Sequence, residues 1–407
     1  MAITLTADQM VAYNAMITLL TTDQQELVIL GGAGTGKTTL VNTFLAEWET
    51  LTNVSPNLFP KLNFELTATT NKAADALAAA TGRPTRTTHS VLGLRVVSKG
   101  YNQSYLADNG NIPEAGSVLI IDESSFIDKD LLLLIQTKAR YAKCKIIYLG
   151  DHCQLKPVNS DTTPVFSAGF KTVELKQIVR QADTSPIQAL SRNLRELVST
   201  GTMPSAGVDG VNILHMPQAD FEEAFKHECK VNPSVRALAW TNKAANYYNE
   251  LAALSLYGDT EFKVGNLLNL NKQVSCRDKW KLPTDTTIEV TSVSPWHTDR
   301  NGITYQTIGT THGIELRHPA DYGDVIAIIK EAYNKGNLEQ AYVLENKYAD
   351  LRRMYASTVN KAQGSTYSTV FIDLNDIGKC RDRDQVNRML YVAASRAKDK
   401  IVFTGDI

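Results

Sequence analysis

The residues best suited to chemistry lie in a glycine-rich stretch near the start of the chain. It reads Gly31-Gly32-Ala33-Gly34-Thr35-Gly36-Lys37-Thr38-Thr39, between an apolar run, residues 27–30, and a helical pattern, residues 40–48. Glycines let successive backbone N–H groups point at a phosphate, and a helix that begins there adds the positive end of its dipole. Lys37 supplies a cation for phosphate oxygens, and Thr38 supplies a hydroxyl for Mg²⁺. Strand, loop and helix in this order predict a nucleoside triphosphate site rather than a chance glycine turn.

Two acids follow a second apolar run. Residues 118–121 read as a buried strand that ends in Asp122 and Glu123. In nucleoside triphosphatases, an acid at such a strand end reaches Mg²⁺ through its shell, and a neighbouring carboxylate can activate water. An acid pair at a strand end is common, but downstream of a phosphate loop it predicts a metal ligand and a general base.

Two further segments carry polar side chains that folding alone does not require. One is Gly150-Asp151-His152-Cys153-Gln154-Leu155-Lys156-Pro157-Val158, directly after the apolar run of residues 145–149. Gln154 is expected at the carboxyl end of a strand, where open α/β sheets place their ligands. The other segment contains Arg396, between a helix pattern and the last strand pattern. Arg180 lies near the end of the first half, and a lone arginine of this kind is usually a solvated surface group.

Three polar segments stand where a strand or turn gives way to a helix. They are Thr69-Thr70-Asn71-Lys72, Thr87-Thr88-His89-Ser90 and Thr241-Asn242-Lys243. Small polar groups at a helix N-terminus suit a phosphate contact, but ordinary helix capping explains the same residues. The third segment echoes the first, which indicates two related halves. Gln9, in the first turn of a predicted helix over residues 7–20, has an amide that can bond adenine or simply face solvent.

Composition narrows the class of protein. The chain has 407 residues, 43% of them hydrophobic, which is enough for two or three domains. Its net charge of -1 means that any footprint for nucleic acid must be local. Five cysteines without a CxxC pair read as reduced thiols, and the neighbours His152 and Cys153 lack partners at metal-ligand spacing. With neither a signal peptide nor a membrane-length apolar run, we expect a soluble, cytoplasmic protein that does not contact membranes.

The patterns of strands and helices predict an α/β fold with interruptions. Residues 95–113, with Tyr101, Tyr105 and the turn pair Asn109-Gly110, predict a small protruding hairpin. Its tyrosines are candidates for a wedge, although exposed aromatic residues also occur without a role. Alternating residues from Lys263 to about Arg317 predict a small β barrel or sheet, and two antiparallel helices follow, with a break at Lys335-Gly336-Asn337.

In the order of these segments and in their residues, the chain resembles the superfamily 1 helicases, and in particular their Dda-like and RecD-like branch of phage type. The most specific matches are Ser357-Thr358-Val359-Asn360-Lys361-Ala362-Gln363-Gly364-Ser365 and Tyr391-Val392-Ala393-Ala394-Ser395-Arg396-Ala397. The resemblance covers nearly the whole chain.

This resemblance implies two RecA-like domains with ATP in the cleft between them. The first is expected over residues 1–185, with the hairpin, or pin, inserted at 95–113. The second is expected over 186–262 and 356–407, interrupted by an SH3-like insertion with a helical hairpin over 263–355.

The resemblance also assigns roles in ATP hydrolysis to individual residues. Lys37, Thr38 and Asp122 are assigned to the phosphates and Mg²⁺, and Glu123 is assigned as the general base that orients the attacking water. Gln154 is assigned as the γ-phosphate sensor, and Arg180 and Arg396 are assigned as arginine fingers. Those that line the nucleotide are Gln9 at the adenine, Gly32 to Thr39 around the phosphates, and Gln363 and Gly364 on the far side. Arginines of a second domain reach the γ-phosphate only when the cleft is closed, so hydrolysis and closure are coupled.

A track for single-stranded DNA is implied across both domains. Its members carry hydroxyls, amides or cations that suit sugar–phosphate contact without reading sequence. They are Thr69, Asn71, Lys72, Thr88, His89, Thr241, Asn242, Lys243, Thr358 and Lys361. Asn360 departs from the histidine that relatives carry, which weakens the assignment of that contact.

The implied activity is an ATP-dependent DNA helicase that uses Mg²⁺ and moves 5′-to-3′ on single-stranded DNA. We expect a monomer that engages single-strand/duplex junctions and works beside single-stranded-DNA-binding or replisome proteins. Three alternatives stay open: a translocase that displaces bound proteins with little unwinding, a P-loop switch without motor function, and a small-molecule kinase.

Overall fold

The computed structural model describes residues 4–100, 103–157, 160, 162–177, 179, 185–202, 207–276 and 280–406, with the backbone alone at 95–100, 103–105, 275–276 and 280–281. The chain divides into two compact units. Unit 1 comprises residues 1–95, 106–216 and 359–407, and unit 2 comprises 96–105 and 217–358.

The elements alternate as the sequence predicts for an α/β protein. The helices are α1 (Ala7–Thr21), α2 (Lys37–Val54), α3 (Asn71–Thr81), α4 (Thr88–Val91), α5 (Lys129–Tyr141), α6 (Pro164–Ser167), α7 (Pro186–Thr200), α8 (Gln218–Val231), α9 (Asn242–Tyr257), α10 (Tyr322–Asn334), α11 (Leu338–Lys347), α12 (Val359–Ala362), α13 (Leu374–Ile377) and α14 (Arg383–Ala394). The strands of the first half are β1 (Glu26–Gly31), β2 (Phe64–Ala68), β3 (Thr85–Thr87), β4 (Leu94–Gly100), β5 (Gln103–Asp108), β6 (Val118–Asp122), β7 (Lys145–Gly150), β8 (Lys171–Leu175) and β9 (Ile213–Met216). The remaining strands are β10 (Val235–Ala239), β11 (Leu267–Leu270), β12 (Val274–Cys276), β13 (Trp280–Leu282), β14 (Thr287–Val293), β15 (His297–Thr298), β16 (Thr304–Thr310), β17 (Glu315–Pro319), β18 (Leu351–Arg353), β19 (Ala356–Thr358), β20 (Tyr367–Asp373) and β21 (Ala397–Thr404).

Unit 1 is built on a six-stranded sheet in the order β3-β2-β6-β7-β1-β8. Every pairing in it is parallel. Parallel strands end at the same edge, so the residues that follow β1, β6 and β7 are brought together there. A second parallel group, β20-β21-β9, belongs to the same unit.

The central strand β1 shows why this sheet is stable. Leu27 and Ile29 lie in the core cluster that includes Phe44 and Trp48 of α2. Val28, between them, lies in the opposite cluster with Ile135 of α5. A parallel sheet covered by helices buries both faces of its strands, which is why β1 reads as an unbroken apolar run.

Unit 2 combines a parallel pair, β10 and β19, with an antiparallel sheet. That sheet has the order β15-β16-β14-β11-β18, with β17 paired to β16. Its core includes Leu268, Ile288 and Ile308. Helices α10 and α11 follow β17 and are separated at Lys335, Gly336 and Asn337, as expected from the sequence.

Two strands form in the segment where the sequence predicts a hairpin, and the turn pair Asn109-Gly110 lies outside them. Strands β4 and β5 form a two-stranded sheet, and Asn109-Gly110 comes after β5. There the backbone N–H of Asn109 donates to the carbonyl of Gly93, 3.1 Å away, and Gly110 has a φ of +82°. The turn pair Asn109-Gly110 therefore lies in the connection from β5 to β6 of the six-stranded sheet. A glycine in the left-handed conformation suits a tight turn at this point as well as in a hairpin.

The compact units do not decide the predicted domain boundaries, which stay a prediction. Residues 186–216 and 359–407, expected in a second RecA-like domain, are grouped with unit 1. Polar contacts such as the hydrogen bond from Tyr391 to Asp151 join them to residues of the predicted first domain. Among the described residues, no helix combines the length and apolar character needed to cross a membrane.

Candidate nucleotide-hydrolysis site

The glycine-rich loop between β1 and α2 adopts a compact, left-handed path. Gly34 and Gly36 have φ values of +82° and +79°. The hydroxyl of Thr35 donates to the carbonyl of Gly32 at 2.9 Å, which ties the loop to itself. A Cβ atom on Gly36 would lie 2.4 Å from the side-chain nitrogen of Gln9. Glycine is required here by both backbone conformation and space.

Lys37, the first residue of α2, turns back over the loop. Its ammonium donates to the carbonyl of Gly31 at 2.5 Å and to that of Gly32 at 3.3 Å. Because the side chain is long and flexible, it can transfer these bonds to phosphate oxygens without movement of the backbone. The predicted phosphate-binding cation therefore lies at the mouth of the loop.

The amide of Gln9 is already committed to the protein. Its oxygen accepts from the backbone N–H of Thr6 at 3.0 Å, which completes a capping box at the start of α1. Its nitrogen donates to the carbonyls of Thr35 and Gly36, at 3.1 Å and 3.4 Å. Gln9 thus braces the phosphate loop, and its contact with adenine stays a prediction.

The two acids at the end of β6 are joined by a hydrogen bond. The backbone N–H of Glu123 donates to the carboxylate of Asp122 at 2.8 Å. Glu123 has a φ of +51°, a left-handed conformation that costs a non-glycine residue about 1–2 kcal/mol. Strain of this kind persists only where neighbouring groups hold the backbone, and it is concentrated at functional sites.

The electrostatics of this pair favour a general base. Burial, with added repulsion from Asp122, raises the pKa of the Glu123 carboxyl to about 7, while the positive charges of Arg396 and Lys37 pull it down. Burial also raises the pKa of Asp122, against the opposing attraction of Lys37. A carboxyl group that titrates near neutral pH is well matched to accept a proton from water.

Arg396 acts on the same carboxylate. Its side chain is 7% exposed, and its guanidinium donates to the carbonyls of Val392 and Ser365, each at 3.2 Å. Its positive charge lowers the pKa of the Glu123 carboxyl. The other predicted arginine finger, Arg180, lies outside the described residues.

The loop after β7 meets the segment that was predicted to line the nucleotide from the far side. Gln363 donates from its side-chain nitrogen to the side-chain oxygen of Gln154, at 3.2 Å, and both residues are buried. Gly364 follows with a φ of +76°, and a Cβ atom there would lie 3.5 Å from Ala73 of α3. The structure therefore brings together two glutamines that lie more than 200 residues apart.

Asp151 anchors a buried network that sequence reasoning missed. Its carboxylate accepts from the hydroxyl of Tyr391 at 2.5 Å and from the guanidinium of Arg195 at 3.4 Å. The same tyrosine oxygen accepts from the backbone N–H of Ala33 at 3.2 Å. Tyr391 and Arg195 thereby tie the phosphate loop to the loop after β7. The neighbouring group Asp151, His152 and Cys153 has clustered ligand atoms, but this carboxylate already serves the network.

Arg388 was also missed, although it lies one turn before Tyr391 on α14. Its guanidinium donates to the carbonyls of His152 and Gln154, at 2.6 Å and 2.8 Å. Asp384 accepts from the same side chain at 2.8 Å. The spacing of Asp384 and Arg388 by four residues signals a helical ion pair, but nothing in the sequence reveals the two carbonyls.

The residues predicted for the DNA track fall in both units, and the structure separates helix caps from exposed groups. Thr70 accepts from the N–H of Ala73 at 3.2 Å, and Thr241 accepts from that of Ala244 at 3.1 Å. Both caps follow a parallel strand, which confirms the echo between the two segments. The flanking residues Thr69, Asn71, Lys72, Thr241 and Lys361 are partly exposed, and Asn242 and Lys243 are exposed.

Three residues of the predicted DNA track are less suited to contact a DNA strand. Thr88 is 2% exposed, and its hydroxyl donates to the carbonyl of Ala68 at 3.2 Å. Thr358 is 9% exposed. Burial lowers the pKa of His89, which disfavours the charged imidazole. Of the wedge candidates, Tyr101 and the side chain of Tyr105 lie outside the described residues.

Two family models match the chain. An AAA domain matches residues 4–203, and a UvrD-like helicase C-terminal domain matches residues 353–404. The first covers the phosphate loop and both acids, and the second covers Gln363 and Arg396. The two models therefore include the groups that the structure brings together in unit 1.

Two curated relatives with similar sequences are helicases. The chain is 25% identical over 287 residues to the ATP-dependent DNA helicase Dda of Enterobacteria phage T4, covering 65% of this chain and 60% of Dda. It is 30% identical over 188 residues to the ATP-dependent RecD2 DNA helicase of Deinococcus radiodurans, covering 46% of this chain and 23% of RecD2. The chain thus spans less than two thirds of the length of either relative.

Solved structures with the same fold are Pif1 helicases. The crystal structure of Pif1 from Candida albicans has a TM-score of 0.50 at 17% identity, and the match covers 100% of this chain and 95% of that one. A structure of two coordinating Pif1 helicases at forked double-stranded DNA also has a TM-score of 0.50, at 18% identity, and covers 100% of this chain and 93% of that one. The fold is the Pif1-like helicase fold. In its motifs, its two family models and this fold, the chain is similar to the superfamily 1 helicases, in the group that includes Dda and the RecD-like enzymes.

Proposed function

We propose that this protein is an ATP-dependent DNA helicase that moves along single-stranded DNA and unwinds duplex. The observation that carries the proposal is the arrangement after β1 and at the end of β6, where the Lys37 ammonium lies over the glycine-rich loop and the Glu123 backbone is held in a left-handed conformation beside Asp122. A base, a phosphate-binding cation and an arginine from a distant segment are the groups that phosphoryl transfer to water requires. The relatives Dda and RecD2, both ATP-dependent DNA helicases, supply the substrate class.

The residues of unit 1 have separate roles in this proposal. The backbone N–H groups of the glycine-rich loop and Lys37 bind the phosphates. Glu123 accepts the proton of the attacking water, and Gln154 with Gln363 orients that water beside the γ-phosphate. Arg396 stabilises the negative charge that develops in the transition state. Loss of the γ-phosphate then removes the anion that holds Lys37 and Arg396 in place.

The donor set at the end of β6 fits Mg²⁺. Asp122 is a partly buried acid whose pKa is raised by burial, so a cation nearby would favour its charged form. Thr38 adds a hydroxyl, and oxygen ligands of this kind are those that Mg²⁺ prefers. Bound there with the nucleotide, Mg²⁺ would neutralise phosphate charge. Thr38 and Asp122 are the residues that would hold it.

The proposed partner is single-stranded DNA, including its junctions with duplex, and the contacts are to its backbone. In unit 1 these come from Thr69, Asn71, Lys72 and Lys361. In unit 2 they come from Thr241, Asn242 and Lys243. A few cations, hydroxyls and amides suffice for a chain whose net charge is -1, because phosphate contacts position a strand without reading its sequence.

The catalytic carboxylate should make turnover depend on pH. Because burial and Asp122 raise the pKa of Glu123 to about 7, its basic form is lost as the pH falls through this value. We expect kcat/KM for ATP, which reports the groups of the free enzyme, to decline on the acid side of about pH 7, since a protonated carboxyl cannot accept a proton from water. Replacing Arg396 with glutamine should move this limb to higher pH, because the positive charge that lowers the pKa is removed. The matched control is Lys398→Gln at an exposed position. A limb that stays in place in the Arg396 variant would contradict the effect of the Arg396 charge on the pKa of Glu123.

Direction of movement is tested with tailed duplexes. We expect unwinding of a duplex with a 5′ single-stranded tail and little unwinding of one with a 3′ tail, measured by strand displacement with saturating ATP. The 5′-to-3′ direction follows from the likeness to the RecD-like branch. Unwinding of the 3′-tailed duplex alone would contradict it.

The alternative function is a translocase that displaces bound proteins and unwinds poorly. A translocase would use the same ATP site and the same DNA track. The two functions are therefore distinguished by their products, which are displaced protein and separated DNA strands. Displacement of a protein block from single-stranded DNA, at a rate far above that of strand separation, would favour the translocase.

A further inference from the structure

The backbone of Glu123 is held from both ends. Its N–H group donates to Asp122, and its carbonyl accepts from the hydroxyl of Thr69 at 3.0 Å and from the N–H of Phe126 at 3.2 Å. With φ at +51° and ψ at +42°, Glu123 lies in a conformation that non-glycine residues leave unless their surroundings hold them. The Thr69 hydroxyl is a side-chain donor on that carbonyl.

The sheet explains how Thr69 reaches this position. Strands β2 and β6 run parallel, with Ala68 aligned with Asp122. The next residue of each strand, Thr69 and Glu123, therefore emerge side by side at the carboxyl edge. This contact depends on the register of two neighbouring strands and is fixed as firmly as the sheet itself.

Thr69 also begins the segment that we propose to contact DNA. Thr70 caps α3, and Asn71 and Lys72 form its first turn. A DNA phosphate bound at the N-terminus of α3 fixes the short backbone segment from Thr70 back to Thr69. Because the Thr69 hydroxyl has only one proton, and that proton is given to Glu123, any change in the position of Thr69 acts directly on the backbone of the base.

We propose that Thr69 is a positioning residue that couples bound single-stranded DNA to the orientation of the Glu123 carboxylate. This inference rests on the proposed function, and it adds a residue and a route to it. DNA that orders the Thr69–Lys72 segment holds the hydroxyl bond in place and keeps the carboxylate aimed at the attacking water. Thr69 itself takes no part in proton transfer.

The test separates positioning from simple DNA binding. The variants Thr69→Val and Thr69→Ala lack the hydroxyl, Thr69→Ser keeps it, and Thr67→Val is the matched control. Thr67 is suited to this use because its hydroxyl donates at 3.2 Å to the carbonyl of Ile120, on the same strand as Asp122 but away from Glu123. For each variant, kcat and KM for ATP are measured across a titration with a dT oligonucleotide, together with the thermal melting temperature.

We expect Thr69→Val and Thr69→Ala to lower kcat about tenfold even at saturating oligonucleotide, because a tenfold loss is the size of the net contribution of one hydrogen bond and this one positions the backbone of the base. In both variants, KM for ATP should stay near the wild-type value. Thr69→Ser should recover most of kcat. Thr67→Val should keep the wild-type kcat even if its melting temperature is lower. A wild-type kcat for Thr69→Val at saturating oligonucleotide, with only a higher half-activating concentration, would show that Thr69 binds DNA and nothing more. An equal loss in Thr67→Val would reduce the effect to sheet stability. If the wild-type enzyme itself ignores the oligonucleotide, the proposed function fails, and this inference fails with it.

Discussion

Replacing Glu123 with glutamine is expected to lower kcat for ATP by about two to four orders of magnitude, the usual contribution of a general base. Glutamine keeps the size of the side chain but cannot accept the proton of the attacking water. The negative charge that repels Asp122 also disappears, so binding of ATP should be retained or strengthened. We therefore expect a variant that binds a fluorescent ATP analogue normally and hydrolyses ATP at a residual rate.

The matched control is Glu196→Gln, an identical change at an exposed position on α7. It should leave both kcat and nucleotide binding unchanged. A normal hydrolysis rate in Glu123→Gln would assign the base to another residue, and loss of binding together with hydrolysis would point to a structural defect at the end of β6.

Replacing Lys37 with alanine is expected to abolish binding as well as turnover. The ammonium lies over the glycine-rich loop, with donors to the carbonyls of Gly31 and Gly32, and it is the cation of that loop that phosphates can reach. Removing a charged donor from such a site costs at least about a hundredfold in rate. Since the same group binds the ground state, affinity for the fluorescent analogue should fall too.

This double loss distinguishes the two variants. Glu123→Gln separates binding from chemistry, whereas Lys37→Ala removes both. The exposed Lys61→Ala, with the same change of charge, should behave as wild type. Retention of nucleotide binding in Lys37→Ala would mean that the loop amides alone hold the phosphates and that the cation has a different role.

The parts of the site that the sequence predicted are those set by short-range rules. A glycine loop after an apolar strand specifies its own conformation, so Lys37 could be placed before the fold was known. The acids after β6 were equally clear, because parallel strands deliver their carboxyl ends to one edge. The helical break at Gly336 and the antiparallel sheet that precedes it follow from local periodicity in the same way.

The parts that escaped prediction depend on contacts between distant residues. Tyr391 and Ala33 are separated by 358 positions, and no local sequence pattern predicts that a tyrosine oxygen accepts a hydrogen bond from the phosphate loop. Arg195 looks like one more charged residue on an amphipathic helix, yet it bridges Asp151 and Glu174. Such side chains acquire a role only when tertiary packing brings an acceptor to them.

Gln9 shows a different limit. Its position in the sequence matched an adenine contact, and the structure shows that the amide also caps α1 and braces Thr35. A residue type at a motif position does not reveal how many partners compete for it. The same reasoning applies to Thr88, whose hydroxyl is bonded inside unit 1.

The most direct test of the account is the steady-state ATPase rate of the purified chain with and without a single-stranded oligonucleotide. The central claim is that the site around Lys37, Glu123 and Arg396 hydrolyses ATP in response to a DNA strand. We predict slow hydrolysis by the protein alone and a marked rise in kcat on addition of the oligonucleotide, lost in Glu123→Gln. A rate that is the same with and without DNA would contradict the account and leave a nucleotide hydrolase without a motor function.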